Sequence, residues 1–399
     1  MRRARPSTRL VRSGLETDSQ HGAVIPPIYL SSNYRFPEFG VPGRYDYTRS
    51  GNPTRDLLGE ALADLEGGFG GIVTATGMAA VTLVLQLLTP QDLVFAPHDC
   101  YGGTYRLLSR FQQRQVVNAE FHNQLEAEFL EKIRVRKPKL VWIETPSNPL
   151  LRIADIQAIA EAAKQVNALV VVDNTFLSPV LQQPLALGAD LVIHSTTKYI
   201  NGHSDVVGGA VIAKTAELFE QIKFWANCLG LTASPFDSYL TLRGLRTLEA
   251  RMSVHLANTE AVTEVLSHHQ AVCKVHYPGL PSHPGHELAA KQQTDFGAML
   301  SFELQDSDEV QLFLQHLQHF SLAESLGGVE SLVAHPATMT HAAMDAEARR
   351  RAGISDGLLR LSIGIEDAED LCGALEDALD VVFETREFAR RKTRQVLNT

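Results

Sequence analysis

The chain lacks any run of about 18 consecutive apolar residues, the length that spans a bilayer as a helix, so it is expected to be soluble with no membrane partner. Cysteine is scarce: Cys100, Cys228, Cys273 and Cys372 lie far apart, with no CxxC pair. That spacing offers neither a zinc site nor a disulfide framework, and it suits four ordinary thiols in a reducing, cytoplasmic setting. Positive charge is also short, since 36 Lys and Arg against 46 Asp and Glu leave a formal net charge of −10. A nucleic-acid partner requires a basic face, so the balance argues against one and favours small-molecule chemistry. Among the 15 histidines, neither His335 with His341 nor His268 with His269 has metal-ligand spacing, and no metal site is expected. The arginine-rich start, MRRARPSTRLVRSGLETDSQ, lacks the apolar segment of a targeting peptide and soon turns acidic, so it reads as a mature N-terminal arm.

What is present is enough material for more than one core: 399 residues, 44% of them hydrophobic. Residues 1–50 carry Pro, Gly, Tyr and Arg without helix or strand period and read as an extended arm that must pack on another surface. Over 51–245, apolar runs at Asp92–Ala96, Lys139–Ile143, Ala168–Val172 and Leu191–Ile193 alternate with helical patterns such as Ile156, Ile159, Ala160 and Ala163. Continuous apolar strands between helices predict an α/β domain, a mostly parallel sheet with helices on both faces. Over 246–399 a long helix around Leu248–Leu266 precedes strands near Met299–Leu304 and Leu358–Ile363, which predicts a smaller α+β domain. The basic tail from Arg386 to Arg394 reads as a solvated helical face.

Four local patterns carry chemistry. The strand Leu191-Val192-Ile193 runs into His194-Ser195-Thr196-Thr197-Lys198, and active sites of open α/β sheets gather at the carboxyl ends of strands. A lysine there is by itself a solvated charge; the hydroxyls of Ser195 and Thr197 just upstream add a possible phosphate site. Val170-Val171-Val172 ends in Asp173, either a turn residue or the partner of a cationic nitrogen. Gly77-Met78 opens an apolar helical run, and a helix start offers free N–H groups to an anion. The glycines of Gly67-Gly68-Phe69-Gly70-Gly71 precede strand-like residues instead of following a strand, so they are not a dinucleotide loop. In Leu358–Ile363, period two puts Arg360 and Ser362 on the face opposite Leu359, Leu361 and Ile363. A half-buried arginine needs an anion, either a structural carboxylate or that of a substrate.

Tyr47-Thr48-Arg49-Ser50-Gly51-Asn52-Pro53-Thr54, HDCYGGTYRL around Tyr101, ETPSNPLLRI from Glu144 and HSTTKYINGHSDVVGG from His194 together resemble the trans-sulfuration family of pyridoxal 5′-phosphate enzymes. The likeness runs from Val11-Arg12-Ser13-Gly14 to Gly364-Ile365-Glu366-Asp367. It implies a fold-type I, aminotransferase-like architecture and a homotetramer of two active dimers acting on amino-acid substrates. It also implies Lys198 as the Schiff-base lysine, Asp173 facing the pyridine nitrogen and Tyr101 stacked on the ring. Gly77, Met78, Ser195 and Thr197 would hold the phosphate, joined by Tyr47 and Arg49 from the adjacent subunit. Arg360 would take the substrate α-carboxylate, with Asn148, Ser325, Arg106 and Glu324 as further substrate contacts.

The family holds synthases, γ-lyases, β-lyases and sulfhydrylases. Glycine in Tyr101-Gly102-Gly103-Thr104 replaces the cysteine typical of methionine γ-lyases, and Glu324-Ser325-Leu326-Gly327-Gly328 lacks the aromatic residues that resemble β-lyases. HDCYGGTYRL, QPLALGADL, GHSDVV and FDSYLTLRGLRTL look most like bacterial synthases that replace an acyl group on homoserine with cysteine. Ser50 stands where some of these carry a second arginine, which leaves the acyl group open. Outside the family, a cofactor-free binding protein on the same fold would be colourless, and an oxidoreductase would need a correctly placed nicotinamide loop.

Overall fold

The computed structural model of the chain describes residues 4–342 and 346–397. The chain forms two compact units. One comprises Met1–Pro146, Ile153–Ala250 and Ala290–Asp295; the other comprises Ser147–Arg152, Arg251–Ala289 and Phe296–Thr399. The main change of unit falls after Ala250, five residues beyond the expected cut at 245/246, and two short segments, Ser147–Arg152 and Ala290–Asp295, group by packing and not by place in the sequence.

The N-terminal region contains a helix, α1 (Pro6–Arg12), where the sequence predicts only extended chain. Seven residues are too few to display a period. Pro6 at the first turn and the burial of Leu10 set this helix, and Arg9 pairs with Asp64 at 2.9 Å. The rest of the arm to residue 52 is irregular and leaves Leu30, Phe36 and Phe39 exposed.

Helix α2 (Pro53–Glu66) starts at Asn52, whose side chain accepts from the Thr54 and Arg55 N–H groups, and stops at Gly67 in the left-handed region. It lies so close to strand β1 (Gly70–Thr74) that a Cβ on Gly59 would stand 2.4 Å from the Gly71 carbonyl oxygen. Only glycine allows that approach. Helix α3 (Gly77–Leu85) follows, capped by the Thr76 hydroxyl, then β2 (Leu93–Pro97) and α4 (Gly102–Gln113). Strands β3 (Asn118–His122), β4 (Leu140–Glu144), β5 (Leu169–Asp173), β6 (Leu191–His194) and β7 (Gly209–Ala213) complete a sheet in the order β1-β7-β6-β5-β4-β2-β3. The strands β2 to β6 pair in parallel; β7 runs against its neighbours β6 and β1. Every residue of β4 is buried, which explains its unbroken apolar run: both faces are covered. Trp142, Val171 and Ile193 share one core with the apolar face of α3, and each such side chain contributes about 1.5–3 kcal/mol by leaving water.

The second unit carries strands β8 (Lys274–His276), β9 (Met299–Glu303), β10 (Ser321–Leu322), β11 (Leu332–Ala334) and β12 (Leu358–Ser362) in the order β10-β11-β12-β9-β8. All five residues of β12 are buried, so Arg360, only 3% exposed, is not half-buried as its period suggests. Alternation reports two faces but not whether the second is covered. The basic tail also departs from expectation at its first residue. Arg386 packs at 2.6 Å against Glu309, while Arg390 pairs on the surface with Glu387; the side chain of Arg394 lies outside the described residues.

Candidate active site

The parallel order places the carboxyl ends of β4, β5 and β6 side by side, and each ends in a polar residue. Asp173 closes β5 and is register partner of both Glu144 in β4 and Ile193 in β6. Asp173 Oδ1 accepts the Thr175 N–H at 3.0 Å. Burial pushes its pKa up, while hydrogen bonds from Thr175 and the nearby His194 pull it down. A half-buried carboxyl of this kind is best stabilised by a cation.

After β6 the chain turns tightly: Lys198 N–H donates to the Ser195 carbonyl at 3.3 Å, and the Lys198 carbonyl accepts from Gly202 at 2.8 Å. The Ser195 N–H donates to the Thr175 hydroxyl at 2.9 Å, which ties the lysine-bearing turn to the end of β5. Lys198 is half-buried on that turn. His194, the first member of the sequence cluster, faces elsewhere: its Nε2 lies 2.7 Å from Glu66, both side chains fully buried.

The start of α3 meets the same turn. A Cβ on Gly77 would lie 2.9 Å from Ser195 Cβ, so a bare glycine leaves room for an anion between the helix N–H groups and the Ser195 hydroxyl. Thr197 is turned away in part, since its hydroxyl donates to the Gly208 carbonyl at 3.2 Å and accepts the Gly208 N–H at 3.0 Å. Gly103 brings two further expected residues together: its Cβ would lie 2.6 Å from the Tyr101 ring and 2.7 Å from Met78 Sδ. The ring of Tyr101, 46% exposed at the start of α4, is free to cover a flat ligand. Arg106, one turn on, is exposed.

Two groups escaped the sequence reading. Glu144 accepts the Tyr101 N–H at 2.6 Å and the Trp142 indole N–H at 3.1 Å. Its signal was visible, a carboxylate closing an apolar run as Asp173 does. Asn227 accepts from Arg49 Nε at 3.0 Å and had no such signal. Arg49 also lies 5.2 Å from the Tyr47 ring centre and lines a cavity of about 610 Å³ whose walls include Arg44, Lys223 and Asn227 but neither Ser195 nor Lys198. Within one chain, then, the arm pair is not gathered with the lysine.

The second unit assembles its own expected set. Arg360 Nη1 donates to Asn148 Oδ1 at 3.0 Å and Nη2 to the Ser325 carbonyl at 2.7 Å. Ser325 holds φ of 84°, a left-handed conformation that serine rarely adopts, which aims its carbonyl at the guanidinium. Glu324 beside it is exposed.

A helix start with a hydroxyl for phosphate, an acid for a ring cation, an aromatic face and a lysine for a carbonyl are the complement of a phosphorylated pyridine aldehyde. The comparisons with known proteins agree. Residues 7–380 match the family model described as Cys/Met metabolism PLP-dependent enzyme. The chain is 56% identical over 374 residues to the cystathionine gamma-synthase of Escherichia coli (strain K12), covering 93% of this chain and 97% of that protein. It is 48% identical over 373 residues to a cystathionine beta-lyase of Lactococcus lactis subsp. cremoris, covering 94% and 98%. Among solved structures, cystathionine gamma synthase from Xanthomonas oryzae pv. oryzae in complex with cystathionine superposes with a TM-score of 0.95 at 59% identity, covering 96% of this chain and all of that one. The chain is therefore a pyridoxal 5′-phosphate-dependent enzyme and belongs to the Cys/Met metabolism PLP-dependent family.

Proposed function

We propose that the chain catalyses γ-replacement, joining O-succinyl-L-homoserine and L-cysteine into L-cystathionine with release of succinate, in methionine biosynthesis by trans-sulfuration. The single observation that carries this reading is identity of 56–59% along nearly the whole chain to the gamma-synthases of Escherichia coli and Xanthomonas oryzae, against 48% to the beta-lyase. In the balance of the reaction the Cγ–O bond breaks, a Cγ–S bond forms, and the thiol proton leaves with succinate.

When bound, pyridoxal phosphate supplies an electron sink conjugated to the substrate Cα. Lys198 Nζ would hold it and would serve as the base for the proton on the substrate Cα. A free lysine with a pKa near 10.4 would be protonated at neutral pH, so the site has to keep this amine neutral. Asp173 would hold the proton on the ring nitrogen, and Tyr101 would cover the ring. The N–H groups at Gly77 and Met78 take the phosphate with the hydroxyl of Ser195; Thr197 joins them when its hydroxyl turns from the Gly208 carbonyl. Arg360 binds the substrate carboxylate, kept in orientation by Asn148 and the Ser325 carbonyl. Arg106 and Glu324, both exposed, are left for the outer part of the substrates.

Synthesis should exceed cleavage. Under matched conditions, cystathionine formed from O-succinyl-L-homoserine and cysteine is expected to outpace 2-oxobutanoate and pyruvate released from cystathionine. Faster cleavage would reassign the chain to the lyases, with γ-elimination or β-elimination read directly from the keto acid.

We further place the chain in a cytoplasmic homotetramer of two active dimers, in which Tyr47 and Arg49 reach the neighbour's phosphate. The exposed apolar arm supports this, since Leu30, Phe36 and Phe39 gain cover only from a partner. Mixing Lys198→Ala and Arg49→Ala chains, each nearly inactive alone, should restore about a quarter of wild-type activity. About half of randomly formed dimers are mixed, and a two-fold exchange gives each one whole site of two. With subunit exchange verified by tagging, no recovery would mean that each chain builds its own site.

A further inference from the structure

Glu144 ends β4 one strand away from Asp173, and the chemistry above gives it no role. Both its oxygens are occupied, by the Tyr101 backbone N–H at 2.6 Å and the Trp142 indole at 3.1 Å. Glu144 and Asp173 are register partners on adjacent parallel strands, so their side chains leave the sheet on one face, with backbones about 4.8 Å apart. With Glu144 buried and Asp173 half-buried beside it on the same face, ionising both carboxyls is disfavoured without a cation.

The groups facing Glu144 come from three elements. Asp173 on β5 and Asp99, in the loop after β2, both push its pKa up, while the Tyr101 and Trp142 donors pull it down; burial outweighs all of these, and the result is about 8. Cys100, in that same loop, is itself pushed up by burial and by the charge of Glu144. A cationic ring nitrogen beside Asp173 favours the ionised form of that acid, and the proton left to the pair then belongs on Glu144.

We propose that Glu144 is a positioning residue for the cofactor: its carboxyl fixes the start of α4, and with it the Tyr101 ring, and it carries the pair's proton at neutral pH so that Asp173 alone faces the ring nitrogen as an anion. The inference rests on the reading of Asp173 as the ring-nitrogen partner. One of its tests therefore needs no cofactor.

Glu144→Gln keeps the shape and removes the titrating proton. In the apo-protein, an acid whose pKa is raised by folding stabilises the fold below its unfolded value of about 4.3 and loses that contribution as pH rises toward its folded value. The wild-type melting temperature should therefore fall between about pH 5 and pH 8, and Glu144→Gln should flatten the slope, leaving the part due to Asp173. Asp173→Asn provides the converse: with its neighbour's charge gone, Glu144 should titrate at lower pH and the slope should move with it.

The cofactor is then tested in a Lys198→Ala background, where it binds without a covalent link whose own titration would interfere. Its dissociation constant and visible band should show an inflection above the ordinary carboxylate range that disappears on adding Glu144→Gln. Glu144→Ala, which frees the Tyr101 N–H, should weaken binding by up to about tenfold, the weight of one hydrogen bond to a neutral acceptor. Unchanged apo slopes in both variants would overturn the proton assignment. A flattened slope with an unmoved cofactor inflection would show a carboxyl pair that does not act on the cofactor, and would equally sink the proposal. Borohydride labelling of Lys198 reports separately on the functional reading.

Discussion

Lys198→Ala is expected to lower turnover by about 10³-fold or more while the protein still folds and binds pyridoxal phosphate reversibly. The size follows from two losses at one atom: the covalent hold on the cofactor, and a general base that alone contributes about 10²–10⁴-fold. The fold should tolerate the change, because Lys198 is half-buried on a turn whose backbone hydrogen bonds, to Ser195 and Gly202, do not need the side chain. Borohydride reduction of the wild-type enzyme followed by peptide mapping should label this residue and no other. A label on Lys164 or Lys214, or a Lys198→Ala enzyme with appreciable turnover, would overturn the assignment.

Arg360→Lys should raise KM for both amino-acid substrates by about 10- to 100-fold, with kcat changed less. A carboxylate clamp holds ground state and transition state alike, so its loss appears in KM. Lysine keeps the charge but not the planar fork, and one ammonium cannot serve Asn148 Oδ1, the Ser325 carbonyl and a substrate carboxylate in the same geometry. The range corresponds to about 1.5–3 kcal/mol for a charged hydrogen bond. A substrate analogue whose carboxylate is replaced by a neutral group separates recognition from damage to the buried strand. It should bind wild type and variant alike; if the variant weakens the analogue as much as the substrate, Arg360 supports the fold and does not clamp the carboxylate.

The strands were legible to within a residue or two where both faces are buried. Lys139–Ile143 and Ala168–Val172 read as strands from composition because Leu140–Glu144 and Leu169–Asp173 are covered above and below, and no other pattern survives that environment. Strand-end placement likewise singled out Lys198 and Asp173. The helix Pro6–Arg12 was not legible, since about two turns with one buried side chain carry no period. Arg386 was misread for a related reason: the sequence shows a basic face but not the Glu309 that meets it from 77 residues away.

The sequence by itself therefore determined the α/β class and the family, and it put Lys198 just after one strand and Asp173 at the end of another, because those depend on local patterns of a few residues. Tertiary structure alone decided who meets whom. Tyr101 finds Glu144 across 43 residues, a contact set by the pairing of β2 with β4, and Arg360 finds Asn148 across 212. The depth of Arg360 and the pairing of Glu144 with Asp173 have the same origin. A chain specifies its alternation locally, but the neighbour on the next strand and the cover on the second face are properties of the packed sheet, and they fix the protonation and aim of the groups that do chemistry.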